Sequence, residues 1–166
     1  MNPLPYKDLS DLILLELCVW REARGESSDG KRAVAHTIRN RVYGATKWWG
    51  HDWHSVILHP YQFSSFNAND PNADKWPDDT DSSFADSCQA ATSVYLGADT
   101  DLTQGATYYH DTSMGWPHAW GNPADYELTL ELGRLKFYRQ KFNNSPQVKA
   151  EVSNHEAVQA AATGEA

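Results

Sequence analysis

The chain is short of positive charge. Its 166 residues include 14 lysines and arginines against 22 aspartates and glutamates, so its formal net charge is -8 with neutral histidines. Nucleic-acid binding needs clustered lysines and arginines to neutralise phosphates, and the longest basic cluster is Arg39-Asn40-Arg41. This composition argues against nucleic acid as a partner, and against non-specific adsorption to anionic membranes.

Long hydrophobic runs are also missing. No segment approaches the roughly 20 apolar residues of a membrane-spanning helix, so we expect no membrane insertion. The first eight residues lack the basic region of a signal peptide, and the apolar run from Leu9 is interrupted by Asp11 and Glu16. We therefore expect a soluble protein made in the cytoplasm, which another factor must export if it acts outside the cell.

Cysteine is scarce, since Cys18 and Cys88 are the two in the chain. Two cysteines are too few for a disulfide scaffold, and no CxxC pair is present. We expect two free thiols in helices, with a disulfide as the alternative that the sequence leaves open. The spacing of His51, His54 and His59 matches no specific zinc pattern, so we expect neither a metal site nor a cofactor.

Aromatic residues, by contrast, are plentiful. The chain has seven Trp, eight Tyr and five Phe, which make up 12% of it, and many fall in polar segments. Exposed aromatic side chains there would stack on sugar rings or other flat ligands, whereas buried ones would fill a small core. The sequence leaves both roles open. Many of these residues lie within 44–80, which we predict to be an ordered loop, and a long loop in a compact domain is usually functional.

Apolar periodicity and capping residues predict a mostly helical first half. A helix over 8–24, capped by Asp8 or Ser10, is apolar on nearly all sides, as a buried central helix is. On a second helix, we expect Arg39 and Arg41 to face solvent or to pair with acids. The second helix is predicted over 28–43 and the third over 81–97. A short helix is predicted within the long loop, at Trp53–Leu58. The apolar stripe of the third helix consists of Phe84, Cys88, Ala91 and Tyr95.

The second half of the chain has less helical character. Ala106–His110 and Tyr126–Leu130 are predicted to be short strands, and Leu135–Phe142 fits either a strand or a helical turn. We predict one domain over 1–142 and a flexible tail over 143–166, with a short helix at His155–Ala162 as one option.

Glu22 stands at the end of the first apolar helix. Leu15, Cys18 and Val19 lie on the same helical face, so Glu22 extends an apolar stripe with a carboxyl group. Such surroundings raise the pKa of a carboxyl group, and an acid that stays protonated near neutral pH can act as a general acid. A solvated glutamate without a function is the alternative that this residue alone leaves open.

Glu26 follows one helical turn later, but Gly25 between the two acids predicts the end of the helix. Glu26 is therefore expected near the start of the second helix. There it either braces the turn, by capping backbone N–H groups or pairing with Arg24 or Arg41, or takes part directly in the site.

Several sequence blocks resemble the SleB-type cell-wall hydrolase family, which includes spore-cortex-lytic enzymes and has similar domains in phage lysins. The first is Glu22-Ala23-Arg24-Gly25-Glu26, and the helix after it contains Ala33-Val34-Ala35 and ends in Asn40-Arg41-Val42. The later blocks are Gln62-Phe63-Ser64, Ala106-Thr107-Tyr108-Tyr109 and Gly133-Arg134-Leu135-Lys136-Phe137-Tyr138. Leu135 stands where the family usually has a histidine.

This resemblance implies an α+β, mostly α, lysozyme-like domain with a small β element, similar to lytic transglycosylases. It implies cleavage of the β-1,4 bond between N-acetylmuramic acid and N-acetylglucosamine in peptidoglycan, with Glu22 as general acid and base. Glu26, four residues later, is a second catalytic candidate. The side chains expected to bind the glycan are Gln62, Phe63, Ser64, Asn67, Tyr108, Tyr109 and His110. A rim of the groove is expected from Trp116, Pro117, His118 and Trp120.

The product and the functional class stay open at this level. A lytic transglycosylase leaves a 1,6-anhydro end, whereas a muramidase adds water and usually needs a second carboxylate, for which Glu26 and then Asp111 are candidates. A peptidoglycan-binding or virion protein that keeps the fold without turnover is the competing class. A metal-dependent amidase is a third, against which the histidine spacing argues. We expect a monomer that acts as a phage-type lysin or virion-associated enzyme.

Overall fold

Four α-helices and a three-stranded antiparallel sheet make up the fold in a computed structural model that describes residues 6–141. The helices are α1 (Asp11–Ala23), α2 (Ser28–Tyr43), α3 (Trp53–Ile57) and α4 (Ser82–Tyr95). The strands are β1 (Tyr108–Asp111), β2 (Tyr126–Leu132) and β3 (Leu135–Gln140). Short 3₁₀ helices occupy Tyr6–Asp8, Ser64–Phe66, His118–Trp120 and Pro123–Asp125. The prediction of a mostly α fold with a small β element is confirmed.

Helix α1 is the buried central helix that its apolar residues predict. Ser10 is its N-cap, and the Ser10 side chain accepts a hydrogen bond from the N–H of Ile13 at 3.4 Å. The helix therefore starts three residues later than predicted, and Asp8 belongs to a preceding 3₁₀ turn. Leu14, Leu15 and most of the residues that follow are buried, while Glu16 and Glu22 are half-buried and the side chain of Ile13 remains exposed. This burial places the end of α1, and Glu22 with it, inside the domain.

Helix α2 has the predicted bounds, and Ser27 caps it by accepting a hydrogen bond from the N–H of Gly30 at 3.2 Å. The prediction for Arg41 is wrong, because its side chain is buried at 5% exposure instead of facing solvent or pairing with an acid. Arg39 is half-buried, with its guanidinium 4.9 Å from the centre of the Tyr43 ring. Periodicity alone could not foresee that aromatic side chains would surround the guanidinium of Arg41.

Helix α4 packs against both α1 and α2. Asp81 caps it and also accepts a hydrogen bond from the indole N–H of Trp20 at 2.9 Å, which ties the start of α4 to α1. Its buried face differs from the predicted stripe, of which Ala91 is the buried member. The face that packs inward is formed by Ser87, Ala90, Ala91 and Val94. Small side chains let α4 approach its neighbours closely, so the larger residues of the predicted stripe lie at the edge of this contact.

The sheet has the strand order β1-β3-β2, with β3 in the centre and both pairings antiparallel. Tyr109 of β1 pairs with Phe137 of β3, and an irregularity in the β2 register falls between Leu128 and Leu130. Leu135–Gln140 is thus a strand and not a helical turn. Pairing with β1 and β2 on its two edges satisfies the backbone N–H and C=O groups of this strand. The segment's own sequence does not indicate that these two partner strands are present.

The long segment before α4 is ordered around a buried guanidinium. Helix α3 within it confirms the prediction of a short helix near Trp53–Leu58. Farther along, Arg21 of α1 donates hydrogen bonds to three main-chain carbonyls, those of Ser65 (2.9 Å), Ala73 (3.0 Å) and Lys75 (2.7 Å). These carbonyls hold the loop against the end of α1, so the loop needs little regular structure of its own.

The aromatic residues of this segment divide between core and surface. An ordered loop predicts burial of its aromatic side chains, which include Tyr61, Phe63, Phe66 and Trp76. Phe63 is buried and Phe66 is half-buried, but Trp76 is partly exposed. Tyr61 lies at 85% exposure, so this expectation is wrong for Tyr61.

Both cysteines are free thiols, with Cys18 buried and Cys88 half-buried, so the disulfide alternative is not realised. Burial raises the pKa of the Cys88 thiol to about 11.

In the stretch from 6 to 141, no helix is both long and apolar enough to cross a membrane. The predicted tail, 143–166, and the helix considered at His155–Ala162 lie outside the described residues.

Candidate active site

A cleft of about 1060 Å³ opens beside the end of α1. Its walls come from the loop before the Ser64–Phe66 turn, from β1, from the loop after β1 and from the β2–β3 turn. Glu22, Glu26 and Arg41 lie in this cleft together with Trp48, His59, Tyr61, Gln62, Tyr108, Tyr109, His110, Asp111, Met114, Trp120, Tyr126 and Arg134, among others.

Glu22 is half-buried at the wall of the cleft, and each of its carboxylate oxygens accepts one hydroxyl hydrogen bond. Ser65 Oγ donates to Oε1 at 3.0 Å, and Tyr109 Oη donates to Oε2 at 2.9 Å. The two donors come from the long loop and from β1, so tertiary structure fixes the carboxyl group from both sides. Such double support holds a reactive group in one orientation.

Burial raises the pKa of the Glu22 carboxyl group above its ordinary value. The hydrogen bonds from Tyr109 and Ser65 and the charge of Arg41 favour the ionised form and oppose this rise, while the negative charge of Asp70 adds to it. Desolvation is the largest of these effects, so the proton is held to a higher pH than on a solvated glutamate. The expectation that the surroundings of Glu22 disfavour its ionisation agrees with this environment.

Arg41 is a buried cation in the same cleft. Its Nε donates to the carbonyl of Thr107 at 2.7 Å, and its Nη1 donates to Oε1 of Gln62 at 3.2 Å. The guanidinium carbon lies 5.2 Å from the centre of the Phe63 ring and 5.9 Å from that of Tyr108. Arg41 therefore joins α2, the long loop and β1 at the site, and its positive charge lies near Glu22.

Glu26 is bound to the turn between β2 and β3. Its side chain is 7% exposed, and Oε1 accepts a hydrogen bond from Nε of Arg134 at 3.2 Å. The backbone N–H of Arg134 donates to Oε2 at 3.4 Å. Gly133 has φ 59°, and a Cβ at this position would clash with Oε2 of Glu26. The ion-pair partner of Glu26 is thus Arg134 and neither Arg24 nor Arg41.

The predicted glycan-binding residues divide into two groups. Gln62, Tyr108, Tyr109 and His110 line the cleft. Phe63, Ser64 and Asn67 are not among the described residues that form its walls. Phe63 is buried beneath Arg41, Ser64 is exposed at the surface, and Asn67 Oδ1 accepts a hydrogen bond from the N–H of Tyr61 at 3.5 Å.

Ser65 and Arg41 are two of the residues at the site that the sequence did not predict there. Ser65 is the hydroxyl donor to Glu22, whereas the predicted residue was its neighbour Ser64. Arg41 was expected to face solvent or to pair with an acid. The two adjacent serines were the sequence feature that could have indicated Ser65. Consecutive residues in a turn point in different directions, so only one of the two hydroxyl groups can reach α1.

An aromatic cluster forms the wall after β1. Trp120 packs edge-on against Tyr108 with ring centres 5.0 Å apart and against Trp116 at 5.2 Å. The ring of His110 stacks on that of Tyr138 at 5.4 Å with an interplanar angle of 9°. Of the predicted rim, Pro117, His118 and Trp120 line the cleft, and Trp116 supports them from behind.

Residues that could bind a metal do not cluster in the described region. Between residues 6 and 141, no group of three or more His, Cys, Asp or Glu side chains has an arrangement that could hold an ion. His54 instead contacts Asp11 Oδ1 at 2.7 Å and the carbonyl of Leu9 at 2.9 Å, which ties α3 to the start of α1.

A family model described as Cell Wall Hydrolase matches residues 25–138, more than half of the chain. The chain belongs to this cell wall hydrolase family. The match begins just after Glu22 and includes Glu26, Arg41, Ser65, Tyr109 and Arg134. A search of curated proteins gives no match.

Two solved structures resemble this cell wall hydrolase. The catalytic domain of the Bacillus cereus SleB protein is 24% identical, with a TM-score of 0.61, over 84% of this chain and 98% of that domain. The catalytic domain of the germination-specific lytic transglycosylase SleB from Bacillus anthracis is also 24% identical, with a TM-score of 0.60, over 82% of this chain and all of that domain. The SleB-type resemblance and the lysozyme-like fold are thereby confirmed.

Proposed function

We propose that this cell wall hydrolase cleaves the β-1,4 bond between N-acetylmuramic acid and N-acetylglucosamine in peptidoglycan, with Glu22 as the general acid and base. The observation that carries the proposal is the environment of Glu22. Its carboxyl group is at the cleft, its pKa is raised by burial, and both of its oxygens are held by hydroxyl groups. Membership of the cell wall hydrolase family supplies the substrate class.

The first step is proton transfer to the leaving oxygen. Protonated Glu22 donates its proton to the glycosidic oxygen, the bond from that oxygen to the anomeric carbon breaks, and positive charge develops on the sugar ring. Glu22 becomes a carboxylate, which Ser65 and Tyr109 stabilise by donating their hydrogen bonds. The nearby charge of Arg41 also favours this ionised form. The same contacts that oppose the raised pKa thus stabilise the product of proton transfer.

The second step favoured here is internal ring closure. The Glu22 carboxylate takes the proton of the muramic acid 6-hydroxyl group, the hydroxyl oxygen bonds to the anomeric carbon, and a 1,6-anhydro end results. The donated and recovered protons balance, so Glu22 is restored without water. A muramidase reaction usually needs a second carboxylate for water, and both candidates are engaged in other contacts. Glu26 is bound by Arg134, and Asp111 accepts hydrogen bonds from Ser113 that hold its pKa below its ordinary value.

The glycan is proposed to lie along the cleft as an extended strand. Gln62, Tyr108, Tyr109 and His110 remain the proposed sugar contacts, because their side chains line the cleft. Glu26 is proposed as a positioning residue that holds the β2–β3 turn against the end of α1, and not as a second catalytic group. We also propose that the enzyme acts as a monomer with a catalytic domain over 1–142, and as a phage-type lysin or virion-associated enzyme.

The variant Glu22→Gln tests the catalytic assignment because it keeps the size of the side chain and removes its titratable proton. Release of soluble fragments from purified peptidoglycan should fall by at least 100-fold, since general acid catalysis contributes about 10² to 10⁴ in rate. Glu16→Gln is the matched control, because Glu16 lies on the same helix but accepts a hydrogen bond from Thr92 at 3.2 Å, outside the cleft. Near-normal lysis by the Glu22→Gln variant would contradict the assignment of Glu22 as the general acid.

A further inference from the structure

Tyr61 has a backbone conformation that tyrosine rarely adopts. Its φ is 63°, in the left-handed region, and the N–H of Gln62 donates to the carbonyl of His59 at 3.1 Å. Pro60 and Tyr61 are therefore the central residues of a tight turn. Proline first and a positive φ second are the type II pattern, which favours glycine at the second position.

The other described non-glycine residue with positive φ has a local explanation. Gln104 has φ 54°, and its carbonyl accepts a hydrogen bond from Nη1 of Arg139 at 3.1 Å. The next N–H, that of Gly105, donates to Asp101 at 2.8 Å. The positive φ of Gln104 thus lets the backbone of this loop form its hydrogen bonds, and the Gln104 side chain takes no part in them. At Tyr61 it is the side chain that needs an explanation.

The turn that carries Tyr61 is fixed on both sides. Before it, the His59 ring packs edge-on against Trp48 with ring centres 5.7 Å apart. After it, Gln62 is bound to buried Arg41 at 3.2 Å, and Phe63 is inserted into the core. These contacts on either side of the turn do not involve the side chain of Tyr61. A glycine at this position would form the same turn with less strain. Instead the chain has a large ring there, 85% exposed, on the wall of the cleft.

We propose that the Tyr61 ring is a sugar-binding platform at the rim of the cleft, which stacks on a pyranose ring of the glycan strand. This inference rests on the proposed function, since it takes the cleft to be the glycan site. The C–H face of a pyranose ring is apolar, and an aromatic face is a flat partner that it can cover. Because the turn already fixes the backbone of Tyr61, only the torsions of its side chain lose freedom when a sugar binds.

The test separates the ring from the backbone by two substitutions. Tyr61→Gly removes the ring and relieves the strain, so the thermal midpoint should rise by roughly 2–4 °C. Tyr61→Ala removes the ring but keeps the strained φ, so it should leave the midpoint nearly unchanged. Both should weaken binding of purified glycan strands about tenfold, whereas Tyr61→Trp should keep the affinity. The control for binding is Tyr43→Ala, which removes an exposed tyrosine outside this cleft and should leave the glycan affinity unchanged.

Binding is measured on the inactive Glu22→Gln background, so that the strands stay intact. Equal affinity of the parent and the two ring-free Tyr61 variants would overturn the platform and leave the proposed function standing. A parent that binds no glycan strand at all would overturn both. A lower affinity together with a higher thermal midpoint for Tyr61→Gly is the result that the platform predicts.

Discussion

Replacing Arg21 by alanine should destabilise the fold by about 3–5 kcal/mol. The side chain is buried and donates to three main-chain carbonyls, of which those of Ser65 and Ala73 are in buried surroundings. Its guanidinium carbon also lies 4.8 Å from the centre of the Phe66 ring. Alanine removes these donors and leaves the carbonyls of Ser65 and Lys75 without the hydrogen bonds that they accept here, whereas the carbonyl of Ala73 keeps the one from the Tyr6 hydroxyl group.

The magnitude follows from the cost of an orphaned acceptor. A buried polar group that loses its partner costs about 1–3 kcal/mol, so the two carbonyls that lose theirs would cost about 2–6 kcal/mol. Water that enters the space left by the guanidinium regains part of this, which brings the expected loss to about 3–5 kcal/mol. For a domain of this size the thermal midpoint should fall by roughly 6–20 °C. Glycan cleavage should fall too, because the same loop carries Ser65 to Glu22.

Chemical denaturation of the two proteins measures this difference directly. The matched control is Arg24→Ala, in the next helical turn, where the exposed guanidinium makes one long hydrogen bond of 3.4 Å to Asn72 and lies 5.3 Å from the centre of the Trp20 ring. That control should change stability by less than about 1 kcal/mol. Equal effects of the two substitutions, or a loss below about 1 kcal/mol for Arg21→Ala, would refute the idea that Arg21 organises the loop.

Three further predictions concern the site. Gly133→Ala should cost about 1–2 kcal/mol or more in chemical denaturation, because of its left-handed φ and the clash with Glu26, whereas Gly115→Ala, with open space around it, should not. Ser65→Ala should move the alkaline limb of the pH–rate profile to higher pH, since losing a hydrogen bond to the ionised form raises the pKa of Glu22 further. Glu22→Gln should raise the thermal midpoint at pH 7 but not at pH 4. A raised carboxyl pKa means that wild-type stability falls as pH rises through the window between the ordinary and the raised pKa.

Controls exist for the last two predictions. Ser64→Ala removes the neighbouring hydroxyl, which does not bind Glu22, so its pH–rate profile should coincide with that of the wild type. A thermal midpoint of Glu22→Gln that differs from wild type by the same amount at both pH values would show that Glu22 titrates at its ordinary pKa in the folded protein.

Sequence reasoning reached the helices of this fold because their signals are local. Capping serines and apolar periodicity specify α1 and α2, and α2 has the predicted bounds. The face of α4 was misjudged because small side chains, which carry little hydrophobic signal, form the close contact with α1 and α2. The state of Leu135–Gln140 depended on two partner strands, which no local pattern contains.

The site divides in the same way. The phase of Glu22 on an apolar helix predicted apolar surroundings for its carboxyl group, although a solvated glutamate stayed open as the alternative. Its partners Ser65 and Tyr109 lie far away in the sequence, and the ion pair of Glu26 with Arg134 joins residues that are 108 positions apart in the sequence. Such contacts arise from tertiary packing, so motif blocks indicated the neighbourhood of the site but not which hydroxyl or which cation meets each acid.

Mass spectrometry of the soluble fragments released from purified peptidoglycan tests the central claim most directly. Wild-type enzyme should release muropeptides with 1,6-anhydro muramic acid ends, and Glu22→Gln should release almost none. Reducing muramic acid ends would mean that water, and not the 6-hydroxyl group, attacks the anomeric carbon. Intact glycan strands with freed peptides, or anhydro products from the Glu22 variant at the wild-type rate, would contradict the assignment of Glu22 as the acid that breaks the glycosidic bond.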